Sequence, residues 1–316
     1  MKHRITAIAA MALCLAVQAA WGQSEKNFEG LRVITDIEYV PGGHETQIGD
    51  IYRPDTDETL PGIVLVHGGG FVVGSKDWLH YPDVAAKFAR YGYVVFTINY
   101  RLLDHGGEYP ANVRDVNCAV RWFKANAPRF GADGERVGIM GSSAGGYLAL
   151  MGGYTSGGKF ELGQCPAAGE DSTVSAVVDY FGITDMQQFS KGKGRLLMKK
   201  FFAAAGKEPA EMFAEASPIS YIDNAPPTLI FHGTRDSLVA FKQSEDMYAA
   251  LEKKGTGAWF VKFEGARHGF INELESKTGR RSHDLAAAFF DMILKEGPEC
   301  VDDNEGLFVC EQPVVK

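Results

Sequence analysis

Residues 136–150 read RVGIMGSSAGGYLAL and combine a short apolar run, a Gly-x-Ser-x-Gly pattern and an Ala/Leu-rich run. This order predicts a strand, a very tight turn and a helix, with Ser143 at the apex of the turn. Gly141 and Gly145 occupy positions where a Cβ would collide with the neighbouring strand or helix. The alternative, a flexible Gly/Ser linker, is disfavoured because a strand pattern precedes the turn and a helix pattern follows it.

Composition is that of an ordinary globular protein, with 316 residues, 45% hydrophobic and 23% charged. The length suits one large α/β domain or two small ones. The formal net charge is −8, whereas nucleic acids and anionic lipid surfaces require a basic footprint. The sequence therefore disfavours those partners and favours a small uncharged one.

The N-terminus has the pattern of a secretory signal peptide over residues 1–22. Lys2-His3-Arg4 precede an apolar run from Ile5 to Val17, and small residues follow up to Gly22. The alternative is a retained membrane anchor, but the apolar run is shorter than the roughly 20 residues that a span needs. We therefore expect a secreted or periplasmic protein with no stable membrane insertion.

Four cysteines remain when Cys14 is removed with this segment: Cys118, Cys165, Cys300 and Cys310. An even number in an exported chain is compatible with two disulfides. The preferred pairing closes a C-terminal tail, residues 298–316, through Cys300 and Cys310, and joins Cys118 to Cys165. Free structural cysteines are the alternative. No Cys/His spacing resembles a metal site.

Apolar runs and helical patterns alternate along residues 23–297, which predicts one α/β domain with a mostly parallel central sheet and helices on both faces. Residues 24–31 are expected to be a polar lead-in, and residues 183–222 a possible cap-like insertion in which Lys191 to Lys200 form a solvated face. Strands are predicted at 32–40, 45–53, 61–67, 93–100, 174–181, 227–232 and 258–264. Helices are predicted at 237–254 and 282–295, and from residue 109 up to Pro128.

A serine hydroxyl becomes a good nucleophile when a histidine takes its proton and an acid orients that histidine. After a turn of this type the partners follow in the order acid, then histidine. Asp236 and His268 both lie just past predicted strands, where the ends of parallel strands gather ligand sites. We therefore predict Ser143, Asp236 and His268 as a catalytic triad.

Rival residues exist for both partners. Asp236 could be a helix N-cap, and Asp185 is the rival acid, although capping does not exclude a catalytic role. His283 lies inside a predicted helix, and His232 is interpreted as a packing residue.

The run His67-Gly68-Gly69-Gly70 follows a predicted buried strand. Bare backbone N–H groups there can turn toward a carbonyl oxygen, so Gly69, Gly70 and Ala144 are predicted to form an oxyanion hole. A phosphate-binding loop is the alternative, but no Lys-Thr pair follows these glycines.

Together these motifs resemble the α/β-hydrolase serine esterases with an His-Gly-Gly-Gly motif, namely the hormone-sensitive-lipase-like esterases and the bacterial feruloyl and acetyl-xylan esterase-like group. The resemblance runs from about Ile51 to Lys295 and includes the segments at 109–111, 113–116, 133–137 and 225–233. It implies the α/β-hydrolase fold and hydrolysis of acetyl or feruloyl esters, small or linked to plant polysaccharide, through an acyl-enzyme without a cofactor. A peptidase or amidase of the same fold is the alternative, and a non-catalytic binding module is disfavoured because the triad is complete. The tail after residue 298 departs from this resemblance.

Overall fold

The computed structural model describes residues 25–158, 160, 165–167, 169, 171–192, 194–206, 208–295, 300–302 and 308–310. The side chains of residues 25–27, 205, 300–302 and 308–310 are outside this description. The predicted signal peptide, residues 1–22, also lies outside it and stays a prediction.

A nine-stranded sheet forms the centre of the molecule, with the strand order β1-β2-β3-β5-β4-β6-β7-β8-β9. Its strands are β1 (Glu25–Phe28), β2 (Leu31–Glu38), β3 (Ile48–Pro54), β4 (Leu60–Val66), β5 (Val94–Ile98), β6 (Ala132–Ser142), β7 (Ala176–Tyr180), β8 (Thr228–Gly233) and β9 (Ala258–Phe263). Strands β1 to β3 pair antiparallel, and β3 also runs antiparallel to β5. The remaining strands, β4 to β9, are all parallel to one another. This arrangement confirms the predicted, mostly parallel sheet.

Eight helices accompany the sheet within the described ranges. They are α1 (Tyr81–Arg90), α2 (Ala111–Asn126), α3 (Ala144–Tyr154), α4 (Met186–Lys191), α5 (Arg195–Phe201), α6 (Pro209–Met212), α7 (Lys242–Lys254) and α8 (Lys277–Leu294).

Alternate side chains of each central strand enter two separate cores. In β4, Val64 and Val66 pack with α2, α3 and α7, whereas Ile63 and Leu65 pack with α1 and α8. Because side chains alternate across a strand, these runs of apolar residues cover both faces of the sheet. All eleven residues of α3 are buried, as expected for a helix that is apolar on all sides.

Three predicted boundaries were wrong. Residues 24–31 are not only a lead-in, since β1 pairs there with β2. Helix α8 starts at Lys277 because the Ser276 hydroxyl caps it by accepting from the Gly279 amide at 2.9 Å. Helix α7 starts at Lys242 rather than near residue 237, because the Asp236 carboxylate holds the amides of Leu238 and Val239 in a turn.

One predicted disulfide is present: Cys118 of α2 bonds to Cys165, with the two Cα atoms 5.5 Å apart. Strands β10 (Cys300–Asp302) and β11 (Phe308–Cys310) form a separate antiparallel pair with Cys300 opposite Cys310. The predicted bond between these two cysteines concerns side chains outside the described part. No described helix is long and apolar enough to cross a membrane.

A buried carboxyl group lies beside the turn that follows β6. Asp179 of β7 is opposite Gly141, and its Oδ1 accepts from the Gly182 amide at 2.9 Å. Its Oδ2 has no hydrogen-bond partner among the described residues. Burial raises the pKa of Asp179 to about 7, although the Gly182 bond lowers it somewhat.

We expect Asp179 to make stability fall as the pH rises. The unfolded chain loses this proton near pH 4 and the native state near pH 7, so the native state binds more protons between these values. The free energy of unfolding of the wild type should therefore decline over this range relative to that of Asp179→Asn. Urea denaturation of both proteins at pH 4, 5.5 and 8 measures this difference, and parallel pH profiles would contradict it.

Candidate active site

Ser143 occupies a strained backbone corner between β6 and α3. Its φ is 56° and its ψ −118°, a conformation that is costly for a residue with a side chain. The flanking glycines permit the corner: a Cβ on Gly141 would lie 2.3 Å from the Gly145 carbonyl oxygen, and one on Gly145 would lie 2.3 Å from that of Val66. The predicted strand, turn and helix are therefore present around Ser143.

Parallel strand ends bring the other predicted residues to the same edge of the sheet. The glycine loop follows β4, and Ser143 follows the adjacent strand β6. Asp236 follows β8, and His268 follows β9, which pairs with β8. Ser143 and His268 line one cleft together with Gly69, Gly70 and Ala144.

Asp236 and His268 are in direct contact, with Oδ2 of the acid 2.6 Å from Nδ1 of the imidazole. The side chain of Asp236 is fully buried and that of His268 is 16% exposed. Burial alone would raise the pKa of Asp236, but bonds to His232 and His268 outweigh it and hold the pKa well below its usual value. The acid is therefore a stable carboxylate that fixes the proton of His268 on Nδ1, leaving Nε2 as the basic nitrogen.

His232 does more than pack, which corrects the sequence interpretation. Its Nε2 lies 3.2 Å from the Val239 carbonyl oxygen and 3.3 Å from Oδ2 of Asp236. Both are acceptors, so Nε2 carries the proton, and Nδ1 accepts from the Ser244 hydroxyl at 2.7 Å. His232 thus holds the same carboxylate oxygen that binds His268. The spacing His232-x-x-x-Asp236 was the available sequence signal.

The rival residues have structural partners. Asp185 is the N-cap of α4, where its side chain accepts from the Gln188 amide. His283 is buried in α8, and its Nε2 lies 2.9 Å from the Ile271 carbonyl oxygen. His283 does not line the cleft that contains Ser143, and the described hydrogen bond of the Asp185 carboxylate is to the Gln188 amide and not to His268.

The glycine loop adopts backbone angles that only glycine accepts readily. Gly69 has φ 122° and Gly70 has φ 61°. A Cβ on Gly69 would lie 1.8 Å from the Val73 carbonyl oxygen. Among the described loop and cap contacts, the amides of Gly69, Gly70 and Ala144 donate to no protein acceptor. Ala144 is also the first residue of α3, so its amide has no partner within the helix.

His67, which is buried at the start of the glycine loop, holds this loop in place. Its Nδ1 donates to the Gly68 carbonyl at 2.7 Å, and its ring stacks on Tyr100 with centroids 4.4 Å apart. Burial lowers the pKa of His67 to about 4, although the Gly68 bond raises it somewhat. His67 is therefore neutral at physiological pH and acts as a scaffold.

The cleft has a volume of about 440 Å³ and a mostly apolar lining. Its walls include the loop after β4, the end of β7 with the segment 183–222, and the turn after Asp236. Their apolar side chains are Val73, Trp78, Leu79, Phe181, Ile183, Phe189, Leu197, Leu238 and Val239. Four of these are unusually exposed: Val73 by 52%, Trp78 by 39%, Leu79 by 54% and Leu238 by 52%. An apolar rim thus surrounds the entrance, as is typical of a ligand-binding groove.

The segment 183–222 also has a solvated side. Lys191, Lys199 and Lys200 are exposed, while Leu197 of α5 faces the cleft. Within the described ranges, no group of three or more His, Cys, Asp or Glu side chains is arranged to hold a metal ion.

The BD-FAE family model matches residues 49–251, which include the glycine loop, Ser143 and Asp236. The chain belongs to the BD-FAE family. Esterase LipC of Mycobacterium tuberculosis is 31% identical over 78% of this chain and 62% of its own length. The chain spans between 51% and 62% of the length of LipC and two related mycobacterial esterases.

Two solved structures share the fold of this chain. A bifunctional GH43-CE protein of Bacteroides eggerthii is 28% identical with a TM-score of 0.70, and covers 81% of this chain and 38% of its own. Thermogutta terrifontis esterase 2, phosphoramylated by tabun, is 25% identical with a TM-score of 0.67. The match covers 85% of this chain and 96% of the esterase chain. These likenesses confirm the α/β-hydrolase fold and the resemblance to hormone-sensitive-lipase-like esterases.

Replacing His232 should slow the chemistry of Ser143 without preventing folding. His232→Phe keeps an aromatic ring but removes the N–H near Asp236, so the rate at which a fluorophosphonate labels Ser143 should fall about tenfold. Mass spectrometry of the labelled peptide over time measures this rate. His283→Phe is the matched control, a second buried histidine that bonds to a carbonyl away from Asp236. Equal labelling rates for wild type and His232→Phe would refute the assigned role.

Proposed function

We propose that the protein is an exported serine ester hydrolase that acts through an acyl-enzyme. The observation that carries the proposal is the 2.6 Å contact of Asp236 with His268, since His268 lines the same cleft as Ser143 and the glycine loop. Membership of the BD-FAE family and the similarity to enzymes named esterases give independent support.

In the proposed mechanism, His268 Nε2 takes the proton of Ser143 as the hydroxyl oxygen attacks the ester carbonyl. Asp236 holds the imidazole in the required tautomer and stabilises its cationic form. The amides of Gly69, Gly70 and Ala144 hold the oxyanion, aided by the positive end of the α3 dipole. His268 then protonates the leaving alcohol, and the acyl-enzyme remains. In the second half, His268 takes a proton from water, which attacks the acyl-enzyme and releases the carboxylic acid and the free Ser143 hydroxyl.

The shape of the cleft favours a bulky aromatic acyl group over acetyl. A cleft of about 440 Å³ with an apolar lining far exceeds an acetyl group. Among the described side chains that line it, only His268 and Tyr81 are ionisable. An uncharged ester of the feruloyl type, attached to a small alcohol or to a polysaccharide, fits this lining.

Export has two supports. Residues 1–22 have the pattern of a signal peptide, and the Cys118–Cys165 bond is typical of an oxidising compartment. Finding the fluorophosphonate-labelled enzyme only in the cytoplasmic fraction would contradict this part of the proposal.

Removing the nucleophile should abolish ester hydrolysis. We expect Ser143→Ala to lower kcat on methyl ferulate by about four to six powers of ten, because no other group forms the acyl-enzyme. Wild type and variant are compared on methyl ferulate, methyl acetate and an aminoacyl anilide. If the anilide is turned over faster than both esters, the protein is an amidase or peptidase and the esterase proposal is wrong.

Trp78 should contribute to the preference for the acyl group. Trp78→Ala removes the largest apolar side chain of the rim, so kcat/KM for methyl ferulate should fall about tenfold while that for methyl acetate changes less than about twofold. Leu196→Ala is the control, because Leu196 is 89% exposed and does not line the cleft. An equal loss on both esters would show that Trp78 does not select the acyl group.

A further inference from the structure

One tyrosine hydroxyl connects two chain segments that surround Ser143. Tyr81, the first residue of α1, borders the cleft but is only 1% exposed. Its hydroxyl oxygen lies 2.6 Å from the Gly68 amide nitrogen and 2.7 Å from Oγ of Ser142.

These partners belong to different parts of the proposed catalytic machinery. Gly68 begins the glycine loop that supplies two oxyanion amides, and Ser142 immediately precedes the nucleophile. The backbones of these two segments are already in contact, since a Cβ on Gly68 would lie 2.8 Å from the Ser142 carbonyl oxygen.

The direction of each hydrogen bond follows from the chemistry of the partners. The Gly68 amide can only donate. The Ser142 hydroxyl is the one acceptor among the two described partners of Tyr81. The proton of Tyr81 is therefore directed to Oγ of Ser142. Burial raises the pKa of Tyr81, although bonds to Ser142 and Gly68 lower it somewhat, so the hydroxyl keeps this proton at neutral pH.

We propose that Tyr81 is a positioning residue that fixes the glycine loop and the Ser143 corner relative to each other. This inference rests on the proposed ester hydrolysis. The oxyanion amides and the nucleophile come from separate segments, and a misplacement of about 1 Å between them can cost about a hundredfold in rate. Its hydroxyl acts through Gly68 and Ser142, without contact with the reacting atoms.

The test compares Tyr81→Phe with the wild-type protein on methyl ferulate. We expect kcat to fall about 10- to 100-fold with KM within about twofold, because the loop placement affects the transition state more than the bound ester. Phenylboronic acid forms a tetrahedral adduct with the nucleophilic serine, so its inhibition constant should rise by a similar factor. A mere loss of folded protein would lower kcat and leave this inhibition constant unchanged.

Two further variants complete the design. Tyr52→Phe is the matched control, since Tyr52 is buried in β3 and its hydroxyl has no partner among the described residues; it should retain wild-type kinetics. Ser142→Ala removes the Tyr81–Ser142 bond from the other side, and the double variant should lose less than the product of the two single losses. If Tyr81→Phe proves unstable, Ser142→Ala alone still tests the inference, because it should also raise the boronate inhibition constant.

The outcomes separate this inference from the proposed function. An inactive wild-type protein would overturn the ester hydrolase itself. An active wild type with an unchanged boronate constant in Tyr81→Phe and in Ser142→Ala would overturn the role of Tyr81 alone.

Discussion

The left-handed backbone of Ser143 is the constraint on which the rest of the site depends. It can exist only where β4, β6 and α3 approach so closely that Gly141 and Gly145 have no room for a Cβ. The same approach places the start of the glycine loop against Ser142 and the first amide of α3 beside the serine. A side chain at either glycine would push these elements apart, so the strain and the close packing require each other. The geometry of the nucleophile is therefore a property of the central sheet.

Short-range patterns made much of this site predictable. The strand, turn and helix around Ser143, the glycine loop, and the positions of Asp236 and His268 after strands all follow from local sequence and from the parallel topology. The role of His232 was missed although it lies only four positions before Asp236. The role of Tyr81 could not be predicted, because it depends on a side-chain contact between distant segments. Tyr81 meets Ser142 across 61 positions of sequence, and nothing in the residues around it indicates that contact.

Element boundaries failed for a related reason. Apolar spacing locates the buried part of a helix, but its first turn is set by hydrogen bonds of single side chains. The hydroxyl of Ser276 extends α8 toward its N-terminus, whereas the carboxylate of Asp236 delays α7 by binding two amides. The second case links the fold to the site, because the same carboxylate positions His268 through its other oxygen.

Two buried carboxyl groups near adjacent strand ends show how the surroundings decide what a side chain can do. Asp179 has one amide donor and an oxygen without a partner in the described part of the chain, so burial dominates and its pKa rises. The side chain of Asp236 is also buried, but two histidines and two amides donate to it, and its pKa falls. A carboxylate that stays charged next to an imidazole stabilises that imidazole when it takes a proton. Asp179, kept neutral up to about pH 7, could not do this, and hydrogen bonding therefore selects Asp236 as the acid that can support His268.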